Sequence, residues 1–481
     1  MKNKSLKVNG ALSLVKQLCA LLFPLITYPY VLRVLGATNV GKVSFSSSVI
    51  SYFSLIAAFG IGNYAIREGA RVRDDRAKIE KFIDQMFTIN CYFTILAYVL
   101  LIALYAVWSK LHNYTGLIIV QSLVMIFTTL GIDWFYQIYE DYFYITVRAI
   151  TVNVISVILM FLLVHKPSDY IIYAGITVVA NGGANIFNFI HAQKFMPIRC
   201  VREVNLKKHI LPMLILFCNN VVVTVYVNSD VTMLGIMKTD QVVGIYNSAV
   251  KIYSIVKSLV SALIVVTLPR LSLMVSKGRK EEFHVLTNKL LNILLTLVFP
   301  AIIGLFVISN NAILIIGGEE FLDGVTALRI LSIALLFSVT ASFYTTSILL
   351  PNKQERSILI ATLTSSIMNV VLNLFFIPIF SLNGAAFTTL LAELSVTIIA
   401  GISARNYYHF SIKIRDLLLV AIGCAGIIII CQLLNGLFVS VVTDTIVQIV
   451  ASAMVYGIIL LVGHHSLAKP IFKTLTSKLC K

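Results

Sequence analysis

Long apolar runs separated by short polar breaks dominate the chain from about residue 11 to about residue 465. Fourteen such runs begin near residues 11, 43, 86, 116, 148, 170, 212, 247, 287, 325, 358, 384, 416 and 445. Each approaches the ~20 residues that a helix needs to cross a bilayer. The pattern predicts an all-α polytopic membrane protein with about 14 transmembrane helices. Lys2, Lys4 and Lys7 precede the first run as in a secretory leader, but no small-residue cleavage site follows and the run is long enough to span, so it is read as the first helix.

Composition removes the soluble alternatives. Hydrophobic residues make up 58% of the 481 positions and charged residues 12%, with a mean hydropathy of +0.91. Soluble domains carry about 45–50% and about 25%. The excess of 38 Lys+Arg over 21 Asp+Glu would suggest nucleic acid in a soluble protein, but here the cations lie in alternate loops. One set of loops holds clusters such as Arg67, Arg71, Arg73, Arg76, Lys78 and Lys81, with Arg148 counted among them; the other set holds only Arg33, Lys42, Lys110, Lys166 and Lys238. The positive-inside rule then puts both termini in the cytoplasm. No nucleic-acid partner, cofactor or metal site is expected, because the seven cysteines form no Cys-x-x-Cys pair and His464-His465 lacks further ligands.

The chain repeats itself. Leu35-Gly36 recurs as Leu234-Gly235, and Gly41 and Gly244 each open a run that ends in a basic loop, at Arg67 and Arg270. Both runs point the same way, which predicts two parallel, pseudo-symmetric six-helix bundles. The expected divisions are 1–195, 196–411, and 412–481 for helices 13 and 14 with a basic tail.

In this register Ser44, Ser48, Ser51 and Ser54 align with Asn247, Lys251, Ser254 and Lys257. Residues three or four apart share one helical face, so each copy carries a polar stripe. Small polar residues also pack helices together in lipid, which explains the serines equally well. The lysines need more, since a charge at the bilayer centre costs about 2.5–3.5 kcal/mol on insertion scales. Snorkelling is the bland alternative; a wet cavity is preferred. Lys16 and Arg329 are further embedded cations, each close enough to an interface to snorkel. Asp133, Asp230 and Glu393 are embedded carboxylates, suited to structural pairing with the cations or to carrying a coupling ion. Asn181, Asn185, Asn188, Asn369 and Asn373 can hydrogen-bond between helices.

Apparent catalytic motifs do not survive their context. Gly36-x-x-x-x-Gly41-Lys42 lacks the Ser/Thr of a phosphate loop, with Val43 in its place, and Gly60-Ile61-Gly62-Asn63-Tyr64-Ala65 lies in a helical run with no preceding strand. No catalytic constellation is expected.

Other residues carry a family resemblance. Pro29-Tyr30, Arg33, Leu35-Gly36, Gly41, Phe45, Gly60 and Arg67-Glu68, then Asp133-Trp134-Phe135-Tyr136-Gln137 with Glu140, then Asn369-x-x-x-Asn373, Ile377-Pro378 and Gly384-Ala385-Ala386 resemble the polysaccharide-repeat-unit flippases. These belong to the superfamily of the multidrug exporters and the peptidoglycan-precursor flippase. Ile138 departs from the glycine expected after Gln137.

The resemblance implies a bacterial cytoplasmic-membrane protein that moves an undecaprenyl-pyrophosphate-linked glycan between leaflets by alternating access, for capsule, exopolysaccharide or O-antigen assembly. It admits a polysaccharide polymerase and export machinery as partners, and proton or sodium coupling. In that setting Lys16, Lys251, Lys257 and Arg329 are the candidates to attract the pyrophosphate, the serine and asparagine faces to meet sugar, and Arg67 and Arg270 to form an entrance or gate, or simply to anchor topology. Helices 13 and 14, apolar and without embedded charge, are expected to offer a groove for the lipid tail. The alternatives are a cation-coupled drug exporter of the same superfamily and, at lower weight, a membrane-embedded glycan polymerase, which would need a larger outer loop.

Overall fold

The computed structural model describes residues 6–409, 411 and 413–466, without side chains at 6–22, 24, 25 and 142. The described residues are helical with no strand, as expected of backbone in a medium that offers no hydrogen-bond partners. Twelve helical segments among them are long and apolar enough to cross a membrane, and the chain divides into two compact units, Met1–Gly244 and Ile245–Lys481.

The first unit contains α1 (Leu6–Ala58), α2 (Ile61–Val72), α3 (Arg76–Val107), α4 (Thr115–Gly131), α5 (Asp133–Ile138), α6 (Tyr142–Leu163), α7 (Tyr170–Val178), α8 (Ala184–Phe195) and α9 (Leu206–Met237). A π-helical turn, Val179–Gly183, joins α7 to α8. Side-chain oxygens of Asp75 and Asn205 accept from the backbone N–H groups of Lys78 and Lys208, capping α3 and α9. Lys110 donates to the last carbonyls of α9, at Gly235 and Ile236, a favourable use of a cation at a helix C-terminus. The core near α2, α3 and α5 is aromatic, with Phe59 stacked between Phe93 and Phe217.

The second unit takes up α10 (Asp240–Ser276) from Ile245 and continues with α11 (Lys280–Val307), α12 (Ser309–Gly317), α13 (Gly324–Ser342), α14 (Glu355–Ala404), α15 (Ile414–Leu434) and α16 (Val441–Val462). Val420 and Cys424 of α15 and Leu460 of α16 pack against Phe299 and Ile303 of α11.

The count of twelve differs from the expected fourteen because adjoining runs are continuous in the helical trace. The first two runs fall in α1, interrupted at Gly36 (φ 74°, ψ 168°). The eleventh and twelfth fall in α14, interrupted at Ser381 (φ 54°, ψ −130°), three residues after Pro378. A straight 50-residue helix would be about 75 Å long, more than twice the hydrocarbon thickness. α14 instead doubles back: Ser365 donates to the Ala392 carbonyl (2.6 Å) and Thr388 to Asn373 Oδ1 (2.5 Å), contacts that only an antiparallel hairpin can make.

The glycines that suggested the repeat meet in the structure. A Cβ on Gly41 would lie 1.7 Å from the Asp240 carbonyl oxygen, and one on Gly244 would lie 1.9 Å from that of Ala37. Asp240 and Ala37 are related by the same shift as the glycines. Backbone meets backbone at both positions, so any side chain is excluded.

Candidate functional site

The polar stripe of α10 is half-buried along its length. Lys257 Nζ donates to Glu393 Oε1 at 2.9 Å, and its ammonium lies 5.7 Å from the centre of the Tyr253 ring. Tyr253 donates to the same carboxylate oxygen at 3.3 Å. Glu393 stands in the second half of α14 with its side chain 6% exposed, whereas Lys257 is 30% exposed. The lysine side chain is the more exposed of the two, while its ammonium is held between the carboxylate and the Tyr253 ring. Ser254, between the lysines, donates to the Val250 carbonyl, and Lys251 is half-buried one turn and a half before Lys257. Seven residues after Tyr246, Tyr253 repeats the pattern: Tyr246 meets Thr389 across the same helix pair at 3.4 Å. Sequence reasoning placed Lys257 with the cargo and left Glu393 with alternatives; the structure joins the two and adds Tyr253, which the polar stripe did not announce.

The other predicted cations go elsewhere. Arg329 is exposed near the start of α13, with Nε donating to Ser309 Oγ (2.9 Å) and its guanidinium 5.5 Å from the Phe306 ring centre. Arg67 is exposed and pairs with Glu68, which also accepts from Arg71. Arg270 is exposed near the end of α10. Lys16 lies on α1, but its side chain is outside the described residues. Asp230 is buried on α9.

Asp133 belongs to a separate polar centre. A left-handed residue, Ile132 (φ 37°), breaks α4 from α5 and sets Asp133 at the first turn of α5. Its Oδ1 accepts from Arg148 Nη2 at 3.0 Å and from Asn188 Nδ2, which also donates to the Gly131 carbonyl. Arg148 was expected in a loop; it is instead the seventh residue of α6 with its side chain only 10% exposed. A cavity of about 270 Å³ adjoins this centre, lined by Asp133, Asn63, Asn90, Thr128, Gln137 and Asn185 among others. Of the rest of the motif, Trp134 and Gln137 also line this cavity. Phe135 and Tyr136 are core residues, Glu140 pairs with Arg73 at 3.0 Å, and Ile138 packs into the hollow left by Gly69. The turn falls at Glu140 (φ 57°), two residues beyond Ile138. That placement accommodates the departure from glycine.

The serine stripe borders a second cavity, of about 430 Å³, within the first unit. The expected apolarity of α15 and α16 needs correction: Asp416 and Asp444 are both buried in their first turns, Asp416 accepting from Ser466 and Asp444 from Gln448.

Half-buried ion pairs, amide clusters and hydroxyl-lined cavities thus sit within an all-helical, multi-pass membrane fold. Over 96% of this chain and 99% of the other, it resembles a structure described as lipid II flippase MurJ in an inward closed conformation, with a TM-score of 0.75 and 16% identity. An inward-facing multidrug resistance MATE family transporter of the MOP superfamily aligns over 79% of this chain and 96% of its own, with a TM-score of 0.55 and 14% identity.

The chain belongs to the polysaccharide biosynthesis protein family, whose model matches residues 6–275. It is similar to a protein named "Putative O-antigen transporter" from Escherichia coli (strain K12), with 21% identity covering 84% of this chain and 97% of the relative. A protein of the same name from Shigella dysenteriae is 23% identical over 52% of this chain and 63% of that protein.

Proposed function

We propose that this chain is a non-enzymatic flippase that moves an undecaprenyl-pyrophosphate-linked oligosaccharide across the bacterial cytoplasmic membrane by alternating access, with both termini in the cytoplasm. The pyrophosphate is multiply anionic and the sugars are dense in hydroxyls, so neither enters hydrocarbon unaided. The observation that carries the reading is the Lys257–Glu393 pair on membrane-length helices, with the cation the more accessible partner. An arriving pyrophosphate competes with Glu393 for the ammonium, and Lys251 adds a second cation on the same helix. The exchange replaces one anionic partner by another, so the lysine need not be stripped of a counter-charge in a low-dielectric setting. Release on the far side returns Lys257 to Glu393. A surface-polymer polymerase and export machinery would then consume the product.

The test is direct. A strain lacking the protein should accumulate lipid-linked repeat units facing the cytoplasm, and wild-type chain but not the Lys251→Ala/Lys257→Ala double variant should clear them. An inward-facing pool that is unchanged by deletion, or fully cleared by the double variant at normal protein abundance, rejects the cationic-site reading.

A further inference from the structure

Residues 196–205 join α8 to α9, and the first half of this connector is fastened along α3. Ile198 exchanges two hydrogen bonds with the Gln193 side chain of α8, donating its N–H to Oε1 (3.1 Å) and accepting from Nε2 (2.9 Å). Its own side chain is buried in the aromatic core near α2, α3 and α5. The Arg199 N–H then donates to Asp84 Oδ1 and the Val201 N–H to Thr88 Oγ1, each at 2.9 Å. Thr88 spends its own proton on the Asp84 carbonyl (2.7 Å), which leaves its oxygen to accept. Asp84, Thr88 and Cys91 follow one another at intervals of four and three and so share a face of α3.

Cys200 lies between the two pinned residues, and its Sγ is 4.0 Å from that of Cys91, 109 residues away in the chain. Cys200 is exposed and Cys91 half-buried. A disulfide needs the sulfurs about 2.05 Å apart; the remaining approach of about 2 Å is less than the roughly 3 Å that a change of χ1 rotamer moves a thiol sulfur. Pinning of the backbone on both sides of Cys200 keeps the two thiols together and replaces a chance encounter. The pair lies just before Tyr92, the first large apolar side chain that α3 exposes, ahead of Ile95, Leu96 and Val99. Arg199 and Arg202 of the connector belong to the inner set of cations. On that side of the membrane thiols rest in the reduced state, and disulfides form transiently.

We propose that Cys91 and Cys200 are a peroxide-responsive modification site that closes reversibly into a disulfide. The exposed Cys200 sulfur attacks the O–O bond of hydrogen peroxide and becomes a sulfenic acid, while the second oxygen leaves with the thiol proton as water. Cys91 then attacks the Cys200 sulfur: the S–S bond forms, the S–O bond breaks, and hydroxide departs with the Cys91 proton as a second water. The two thiols lose two electrons and one peroxide gains them. The product ties the connector to α3 covalently, where the resting chain holds it by hydrogen bonds that can open. The inference is independent of the cargo and takes from the flippase reading only the cytoplasmic side of the connector.

The experiment uses the full chain. Cells are quenched with N-ethylmaleimide before lysis, and separately the chain purified in detergent is treated with hydrogen peroxide in the presence of dimedone, which traps sulfenic acids. Peptides are identified by mass without reduction. Both thiols should be free in quenched cells. Peroxide should link Cys91 to Cys200 in the wild-type chain, and dithiothreitol should undo the link. Cys91→Ser should instead accumulate the dimedone adduct on Cys200, at least tenfold above wild type, and Cys200→Ser should give neither product. Should Cys91→Ser fail to fold, Cys91→Ala reads the same step. A wild-type chain that carries as much Cys200 adduct as the Cys91 variant, or that joins Cys200 only to the exposed Cys218 or to a second chain, overturns the site. A bond already present in quenched cells overturns its response to peroxide. None of these readouts involves a lipid-linked glycan, so either failure leaves the assignment of the cargo standing.

Discussion

Replacing Glu393 by glutamine isolates the role assigned to the buried ion pair. The side chain keeps its size, and one carboxylate charge 2.9 Å from Lys257 Nζ disappears. At an effective dielectric constant of about 20, that pair has a gross Coulomb energy of about 6 kcal/mol. Solvent screening at the partly exposed lysine reduces it, so the competition that Glu393 offers to an incoming anion is at least about 2 kcal/mol, or roughly thirtyfold in affinity. Glu393→Gln should therefore bind a lipid-linked pyrophosphate roughly thirtyfold more tightly than wild type. Turnover should fall, because release depends on the carboxylate recapturing the lysine. The assay is equilibrium binding on the detergent-purified chain, with flipping measured after reconstitution in vesicles. Unchanged or weaker binding by a folded Glu393→Gln chain would refute the exchange and leave the pair a structural staple.

Further outcomes follow from other parts of the molecule. Gly41→Ala and Gly244→Ala should each destabilise the chain by about 3 kcal/mol or more, because the new methyl meets backbone oxygen at 1.7–1.9 Å; thermal unfolding in detergent reads this, and wild-type stability in either variant would contradict the close approach. Asp133→Ala should cost about 3–5 kcal/mol by stranding Arg148 in a buried setting. The Asp133→Leu/Arg148→Leu double variant should recover much of that stability, whereas additive losses would show that the pair is not coupled. Cysteines introduced as Asn113→Cys, three residues beyond Lys110 in the outer segment between α3 and α4, and as Lys238→Cys, in a chain cleared of its own cysteines, should react with a membrane-impermeant maleimide in intact cells, and protection of both sites would invert the orientation.

The linear pattern determined the fold class, because a chain this apolar can satisfy its backbone in lipid only by helices. It suggested a repeat as well. Gly41 and Gly244 were recognisable as equivalent from letters alone, since backbone contact admits no other residue. It also located the polar faces of α1 and α10, because the helical period puts residues three and four apart on one side. Partnership was not legible. Glu393 lies 136 residues from Lys257, and the fold of α14 at Ser381 belongs to the segment that carries this carboxylate. Arg148 read as a loop cation because a charge at a run's edge looks the same whether it meets water or, as here, a carboxylate 15 residues away. Gln121 drew no notice, being a single amide in an apolar run. Its environment is set by packing, which spends its nitrogen on the Val43 carbonyl and buries its oxygen without a partner. Periodicity is a local property of the backbone and survives in one dimension, whereas the choice of partner for a buried polar group is settled by which distant side chains the packed helices bring within hydrogen-bonding reach.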